Sequence, residues 1–410
     1  MKNLKILGPG LLFAGAAVGT SHLVQSTRAG AVFGLGLLFV VLLANMVKYP
    51  AFRFGAHYAA ATGKNLVSGY RALGWFPPVF FGAVLVLADG FAMAAVSLVT
   101  AGILKSVFAL EAPILMLTAG VMIVAAAFLV FGRFQWLDRI NKLFMAILAI
   151  STLAATILVL PRIGWSFPLE AGDMPDLAVL MFIAALAGWM PTPIESSVFS
   201  SLWTVEKMKT SDGTIDRDAL LADFDIGYWA TALLAVCFLL LGAGIMYVDG
   251  IAPADSAPGF AAQVMGLYGN TLGNWSVPIV GVAAISVMFT TCLAAFDGVT
   301  RSLVAVAEEL HGPVSDEGKQ TAYAASLVGL LTAAFLLLSF FLHSFKAFID
   351  FVTSLAFLTA PVLAWFNHRV MLDGDVPEED KPAPYLIMWS RLGILVMGLF
   401  ALGYLFLIFS

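Results

Sequence analysis

Gly19-Thr20-Ser21-His22 interrupts an apolar segment that runs from about Leu4 to Leu35. These residues are weaker helix formers than the Leu, Phe and Ala around them, and they bring polar groups into a stretch long enough to cross a bilayer. Irregular backbone at membrane depth is tolerated only where protein buries it or where it lines a cavity. The stretch therefore predicts a transmembrane helix that is broken at mid-membrane.

A second interruption, Gly188-Trp189-Met190-Pro191-Thr192-Pro193, lies inside the apolar segment from about Leu177 to Trp203. Two prolines separated by one residue must end or kink a helix. Broken spans at corresponding places in two halves of a chain indicate the central binding site of a transporter. The two breaks together predict a secondary active membrane transporter that works by alternating access.

The composition is that of an integral membrane protein: 61% of the 410 residues are hydrophobic and 11% are charged, with a mean hydropathy of +0.95. A soluble chain carries about a quarter charged residues. The net charge of −5 is small and says little about partners, and no basic run suggests a nucleic-acid partner. Cys237 and Cys292 fall in apolar spans and are interpreted as core thiols. No HExxH, GxSxG or Walker pattern occurs, so no enzyme activity and no cofactor are predicted.

Hydropathy predicts an all-α protein with eleven spans, near residues 4–34, 36–61, 77–108, 112–131, 136–161, 177–205, 224–248, 275–304, 320–342, 346–368 and 387–409. The N-terminal stretch is interpreted as a first transmembrane helix and not as a signal peptide. Sixteen lysines and arginines fall on the side of the N-terminus, and only Lys105, Arg162 and Lys346 fall on the other side. This bias predicts a plasma (inner) membrane protein with a cytoplasmic N-terminus and an external C-terminus.

If each break starts one repeat, residues 4–161 and 177–368 form two halves of five helices. An odd number of spans per half forces the halves into opposite orientations, so the repeat is inverted. The span at 387–409 is then an added eleventh helix within one transmembrane domain, residues 1–410. The loops at 206–223 and 369–386 are expected to be connectors, and the loop at 249–274 is expected to carry a short surface helix.

Several short segments resemble the start of divalent-metal transporters of the Nramp (natural resistance-associated macrophage protein) family. They are Gly8-Pro9-Gly10, Ala29-Gly30-Ala31, Phe33-Gly34, Leu42-Leu43-Ala44-Asn45 and Ala61-Thr62-Gly63-Lys64. The match runs without gaps over residues 8–64 and resumes at Met190-Pro191. The resemblance, within the amino acid-polyamine-organocation superfamily, implies a LeuT-like 5+5 inverted repeat with the substrate between broken helices 1 and 6.

The metal-binding motifs of that family are replaced in this chain. The family's Asp-Pro-Gly-Asn falls on Gly19-Thr20-Ser21-His22, so the carboxylate and amide ligands are missing. The family's Met-Pro-His falls on Met190-Pro191-Thr192, which keeps the methionine and loses the histidine. The resemblance therefore implies a divergent relative with a rebuilt site.

The residues at and beside the two breaks are the candidates for substrate binding. They offer hydroxyls, a ring nitrogen, a thioether and unwound backbone carbonyls. The residues are Gly19, Thr20, Ser21, His22, Ala187, Met190 and Thr192. His22 and Met190 are also the candidate metal ligands. The alternative interpretations remain open: His22 as a satisfied buried group, Met190 as ordinary core, and Ser21 as a helix N-cap.

Five charged residues inside or near the spans are candidates for coupling or gating: Glu195, Arg28, Asp89, Lys48 and Asp297. Arg28 or Lys48 is expected to pair with Asp89, Glu195 or Asp297, because an unpaired charge in a membrane is costly. The pairs are either structural or part of a proton relay. Glu195 is the first choice as a proton carrier, although Thr192-Pro193-Ile194-Glu195 also fits a capping box.

Two substrate classes remain. The family resemblance favours import of a divalent metal ion, Mg²⁺ or Mn²⁺, which is partly hydrated because no carboxylate lies at the first break, with possible proton coupling. The Gly-Thr-Ser break, Arg28 and Lys48 favour a symporter of a small organic or anionic solute such as an amino acid. The expected partners are the small cation or solute, protons and the lipid bilayer, and the protein is expected to be a monomer.

Overall fold

The computed structural model describes residues 9–131, 134–165, 177–210, 216–342 and 344–409, and the regular secondary structure of these residues is helical. Residues 4–8 of the first predicted span and residues 211–215 of one predicted connector lie outside the described residues. The helices of the first half are α1 Pro9–Ala17, a π-helix Ser21–Ser26, α2 Thr27–Phe33, α3 Leu38–Thr62, α4 Leu66–Ala72, α5 Phe76–Val107, α6 Ile114–Phe131 and α7 Phe134–Val159.

The second half repeats this order of spans. Its helices are α8 Leu177–Gly188, α9 Ser196–Thr210, α10 Arg217–Leu241 with a π-helix Gly242–Tyr247, α11 Ala257–Leu272, α12 Ser276–His311, α13 Asp316–Phe341 and α14 Phe345–Asp373, and α15 Pro384–Phe409 follows. The described residues contain nine helices long and apolar enough to cross a membrane. The two broken spans, α1 with α2 and α8 with α9, complete the eleven predicted spans. The chain is thus a multi-pass membrane protein with the predicted all-α fold.

Both predicted breaks are present, with shifted limits. The first leaves helical geometry at Val18 and Gly19, and Ser21 and His22 lie in the π-helix that follows. The second extends over residues 189–195, past the predicted end at Pro193, because α9 begins at Ser196. The Met190–Pro191 peptide bond in this second break is cis.

Two short helices lie between the spans. The structure adds α4, where the Asn65 side chain accepts hydrogen bonds from the backbone of Val67 and Ser68. The helix expected in the loop 249–274 is α11, but it is not confined to the surface. One face is buried, and the Tyr268 hydroxyl lies 2.8 Å from Thr152 Oγ1 of α7.

Candidate functional site

The first break is held by hydroxyl groups. Thr291 of α12 donates a hydrogen bond to the carbonyl of Gly15 at 3.0 Å, and Ser21 Oγ lies 2.8 Å from the carbonyl of Ala17. Gly19 faces Thr291 so closely that a Cβ at this position would lie 2.7 Å from Thr291 Cγ2. A larger residue at position 19 therefore requires movement of Thr291. This steric restriction explains why glycine stands at the position where the Nramp motif has aspartate.

The second break is held by a charged group. Lys48 of α3 extends its ammonium to the last two carbonyls of α8, with Nζ 2.6 Å from Ala187 O and 2.7 Å from Gly188 O. The Ala187 carbonyl, predicted to be a free ligand, thus already accepts a hydrogen bond from Lys48, and its role in substrate binding stays a prediction. Gly188 permits close packing here, since an added Cβ would lie 1.9 Å from the carbonyl oxygen of Thr353 in α14.

A cavity of about 50 Å³ lies between the two breaks, with α5, α9 and α12 as its other walls. This volume holds a few water molecules or one small solute. Its polar wall consists of the Asp89 carboxylate and the side chains of Thr20, Ser21, Thr192, Ser196 and Thr291. Met93, Trp189 and Phe199 contribute the larger apolar surfaces. The cavity thus brings together Thr20, Ser21 and Thr192 from the predicted binding set with Asp89 from the predicted coupling set.

Several buried polar atoms around this cavity have no hydrogen-bond partner among the described residues. They are Asp89 Oδ2, Thr20 Oγ1, Trp189 Nε1 and, next to the cavity, Glu195 Oε2. Asp89 is 4% exposed and Glu195 1% exposed. Buried polar groups in folded proteins almost always have a partner. The concentration of unsatisfied atoms at one cavity indicates a place where a polar ligand or water belongs.

Glu195 does not close the capping box that its sequence suggested. Its Oε1 accepts a hydrogen bond from Thr359 of α14 at 3.1 Å, while Thr192 Oγ1 lies 3.2 Å from Ser196 Oγ. Glu195 interacts electrostatically with both Lys48 and Asp89. The break therefore places two buried carboxylates and one ammonium within range of one another.

His22 lies outside the cavity wall. One ring nitrogen, Nε2, lies 2.9 Å from the carbonyl of Thr231 in α10, and Nδ1 lies 2.7 Å from Ser21 Oγ. Both nitrogens are used within the protein, which matches the alternative of a satisfied buried histidine. Ser21 does not cap the following helix through its side chain, and Thr20 is the N-cap residue.

Met190 is fully buried and is 3.9 Å from the donating hydroxyl of Ser26. It does not line the cavity, and neither does His22. No group of three or more His, Cys, Asp or Glu side chains in the described ranges is placed to hold a metal ion. The geometry therefore gives no support to His22 and Met190 as a ligand pair, and the available oxygen donors are Asp89 and the hydroxyls.

The buried Arg28 has an ion-pair partner that sequence reasoning missed. It forms a two-point ion pair with Asp350 of α14, at 2.7 and 2.9 Å, and packs over the Phe182 ring of α8. Gln25 joins both members of the pair, accepting from Arg28 and donating to Asp350. The predicted partners Asp89, Glu195 and Asp297 are wrong for Arg28. Asp350 is a charged residue inside the predicted span 346–368. Its position there is the sequence feature that could have identified it as the partner of Arg28.

A larger cavity lies towards the opposite end of the bundle from Arg28, where α4 lies. This vestibule of about 910 Å³ reaches Gly15 and Thr290, next to the cavity residues Ala16 and Thr291. Asp297 lines this vestibule and does not line the Asp89 cavity. It accepts hydrogen bonds from Arg301, one helical turn away, and from Tyr323. Asp297 is therefore a paired vestibule residue, and its expected pairing with Arg28 or Lys48 is wrong.

The architecture is that of LeuT-fold transporters. The manganese transporter of Eremococcus coleocola superposes with a TM-score of 0.68 at 14% identity over 98% of this chain and 86% of that chain. MhsT in complex with L-phenylalanine gives 0.67 at 17% identity over 96% and 98%. Mhp1, a nucleobase-cation-symport-1 family transporter, gives 0.60 at 12% identity over 98% and 91%. The predicted LeuT-like fold is confirmed; the Nramp assignment stays a prediction.

At the level of sequence, the chain is 32% identical to the uncharacterized protein PM0681 of Pasteurella multocida over 400 residues. The alignment covers 97% of this chain and 90% of that protein, so the chain belongs to the same family as PM0681. No family model matches the sequence.

Proposed function

We propose that this protein is a secondary active transporter and that the cavity at Asp89 is its substrate site. The cavity lies between the two broken helices, where carriers of inverted-repeat construction bind their substrates. One end of the bundle is sealed by Arg28 and Asp350 while the vestibule approaches the cavity from the other end. A site reached from one side at a time is what alternating access requires.

The site fits a small divalent cation, Mg²⁺ or Mn²⁺, best. The ion would be carried with part of its water shell, by a protein related to the Nramp transporters. The observation that carries this is the buried, unpartnered Oδ2 of Asp89 in a small cavity lined by hydroxyl oxygens. Hard cations prefer carboxylate, hydroxyl and water oxygens. A carboxylate on α5 thus supplies a negative ligand that the first break no longer provides.

Glu195 is the proposed proton carrier. With Asp89 and Glu195 ionised and Lys48 protonated, the buried cluster carries one net negative charge, which is costly at membrane depth. A proton on one carboxylate removes that charge, whereas a bound divalent cation would turn it into one net positive charge, so the proton and the cation compete for the same carboxylates. Glu195 Oε2 has no partner in the described part of the chain and is available to hold the proton.

A small organic solute such as an amino acid is the second candidate. Trp189 supports it, because its unpartnered Nε1–H is a donor for an anionic group, while Asp89 would accept an ammonium group. The walls formed by Met93 and Phe199 would contact an apolar side chain. Solved relatives of like fold include both a manganese transporter and a protein bound to phenylalanine, so the fold does not decide between the two classes.

The sidedness of the protein follows from the distribution of basic residues. With the N-terminus in the cytoplasm, the vestibule opens to the cytoplasm and the Arg28–Asp350 pair closes the external side. The structure then represents an inward-facing state in a plasma or inner membrane.

Uptake into proteoliposomes tests these proposals. The panel is Mn²⁺, Mg²⁺ and amino acids, each measured with and without a pH gradient. The metal proposal expects Mn²⁺ or Mg²⁺ uptake that Asp89→Asn reduces roughly 10- to 100-fold and that Asp249→Asn leaves intact, since Asp249 is an exposed carboxylate paired with Arg162. Amino-acid uptake without metal uptake would instead establish the second candidate.

A further inference from the structure

Lys48 lies where a free cation would be expected in a broken-helix carrier. Its ammonium contacts the carbonyls of Ala187 and Gly188, the last two residues of α8. The final carbonyls of a helix have no partner within the helix, and the helix dipole places partial negative charge there. Carriers with discontinuous helices use such half-helix ends to coordinate monovalent cations.

A second observation marks the position as a cation site. Glu195, on the far side of the break, is 1% exposed, has an unpartnered Oε2 within the described chain, and attracts Lys48 electrostatically. Two carbonyl oxygens and a nearby buried carboxylate are the environment that a small cation prefers. The residue that fills it is 2% exposed, although a buried ammonium is costly at membrane depth.

The path of the side chain explains how the charge reaches this position. Lys48 is also part of an apolar groove of about 400 Å³ formed by α3, α8, α14 and α15. The aliphatic stem therefore has apolar surroundings while the ammonium turns towards the break, as long basic side chains do at polar boundaries. Lys48 is not part of the wall of the Asp89 cavity, so the two positions are separate.

We propose that the Lys48 ammonium is a tethered cation, which permanently fills a monovalent-cation site formed by Ala187 O, Gly188 O and Glu195. Because a covalently held cation cannot dissociate, this position cannot supply a free coupling ion such as Na⁺. Removal of the ammonium should expose the site to a small cation from solution. This inference is independent of which substrate the Asp89 cavity takes.

The test is the thermal unfolding of purified protein in detergent, which requires no transport substrate. Lys48→Ala is compared with the unmodified protein in choline, sodium and methylammonium chloride at equal ionic strength. Lys105→Ala is the matched control, because Lys105, in the last turn of α5, also donates to two backbone carbonyls, which belong to the loop residues Glu111 and Ala112. The tethered-cation proposal expects Na⁺ or methylammonium to raise the Tm of Lys48→Ala by at least about 2 °C relative to choline.

The unmodified protein and Lys105→Ala should not respond to these cations beyond the ordinary effect of salt. Equal responses of all three proteins, or none in Lys48→Ala, would overturn the proposal. If Lys48→Ala does not fold, Lys48→Gln and Lys48→Arg replace it, since both can donate to the carbonyls but only arginine is charged. A Lys48→Gln protein as stable as the unmodified one would show that the carbonyls need a donor and not a cation, which also overturns the proposal.

Discussion

At the first helix break the free carbonyls are satisfied by hydroxyl groups, whereas at the second break they are satisfied by the ammonium of a lysine. Thr291 donates to Gly15 at the first, and Lys48 donates to Ala187 and Gly188 at the second. The first break and Asp89 therefore bring hydroxyls and an unpartnered carboxyl oxygen to the cavity, while the second break already contains a basic group. The difference supports the proposal that a cationic substrate is held from the α1 and α5 side of the site.

The largest expected effect comes from changing the groups that hold the two breaks. Lys48→Met leaves two carbonyls without a donor and Glu195 without a nearby basic group, so the free energy of unfolding should fall by about 3 kcal/mol. Thr291→Val removes one neutral hydrogen bond and should cost about 1 kcal/mol. Denaturation of both variants in the same detergent measures the difference. Equal losses would mean that the two breaks do not differ in the way described.

Glu195→Gln tests whether the acid at the second break carries a proton. Glutamine keeps the shape and can still accept from Thr359, but it cannot titrate. In the unmodified protein, a pH gradient should accelerate substrate uptake by about tenfold or less. The Glu195→Gln variant should still take up substrate but without this acceleration. Proton and substrate fluxes are followed together in liposomes. Unchanged substrate-driven proton flux would make Glu195 a structural residue.

Arg28→Gln tests the sealed end of the bundle against the open end. Loss of the ion pair to Asp350 should speed hydrogen exchange in α2 and in the first turns of α14 by about tenfold, because the sealed arrangement becomes less stable. Exchange near the vestibule should not change. Arg162→Gln, which breaks an exposed ion pair with Asp249, is the control. Identical exchange in the two variants would show that Arg28 does not seal this end.

The smallest effect is expected at an ion pair outside the spans, between Lys64 and Asp375. Burial raises the pKa of Asp375, but hydrogen bonds from Lys64 and Tyr58 outweigh it and hold this pKa below its usual value. A lowered carboxyl pKa contributes stability at neutral pH and loses it as the pH falls through the folded pKa. Lys64→Ala should therefore lower the Tm by about 1 °C at neutral pH.

The difference between Lys64→Ala and the unmodified protein should shrink as the pH is lowered towards about 3. A difference that grows on acidification would contradict this sign.

The fold could be predicted from the sequence because its signals are local. Apolar runs defined the spans, and Gly19 and the prolines at 191 and 193 defined the breaks within a few residues. The partners of the buried charges could not be predicted in this way. Arg28 pairs with a residue 322 positions away, and the acceptor of His22 lies 209 positions away. Such pairs depend on how the two halves pack, and a single sequence does not record that packing.

The candidate site was predicted only where its residues lie at the breaks, because the contacts between distant helices are not visible in the sequence. The sequence identified Thr20, Ser21 and Thr192 at the breaks, and they line the cavity with Asp89. It did not identify the side chains of Trp189 and Thr291 as part of the cavity wall, because these residue types are ordinary in apolar helices. It also gave Ala187 a free carbonyl, because the reach of Lys48 from another helix was not visible.

Metal binding to the purified protein tests the central claim, that Asp89 holds a cationic substrate at the cavity between the breaks. Calorimetric titration with Mn²⁺ and Mg²⁺ should give weak binding, in the high micromolar range or above, because one carboxylate and several hydroxyls form the site. Asp89→Asn should weaken this binding roughly 10- to 100-fold, and Asp249→Asn should not change it. Metal affinity that is the same in the unmodified protein and in Asp89→Asn would contradict the account.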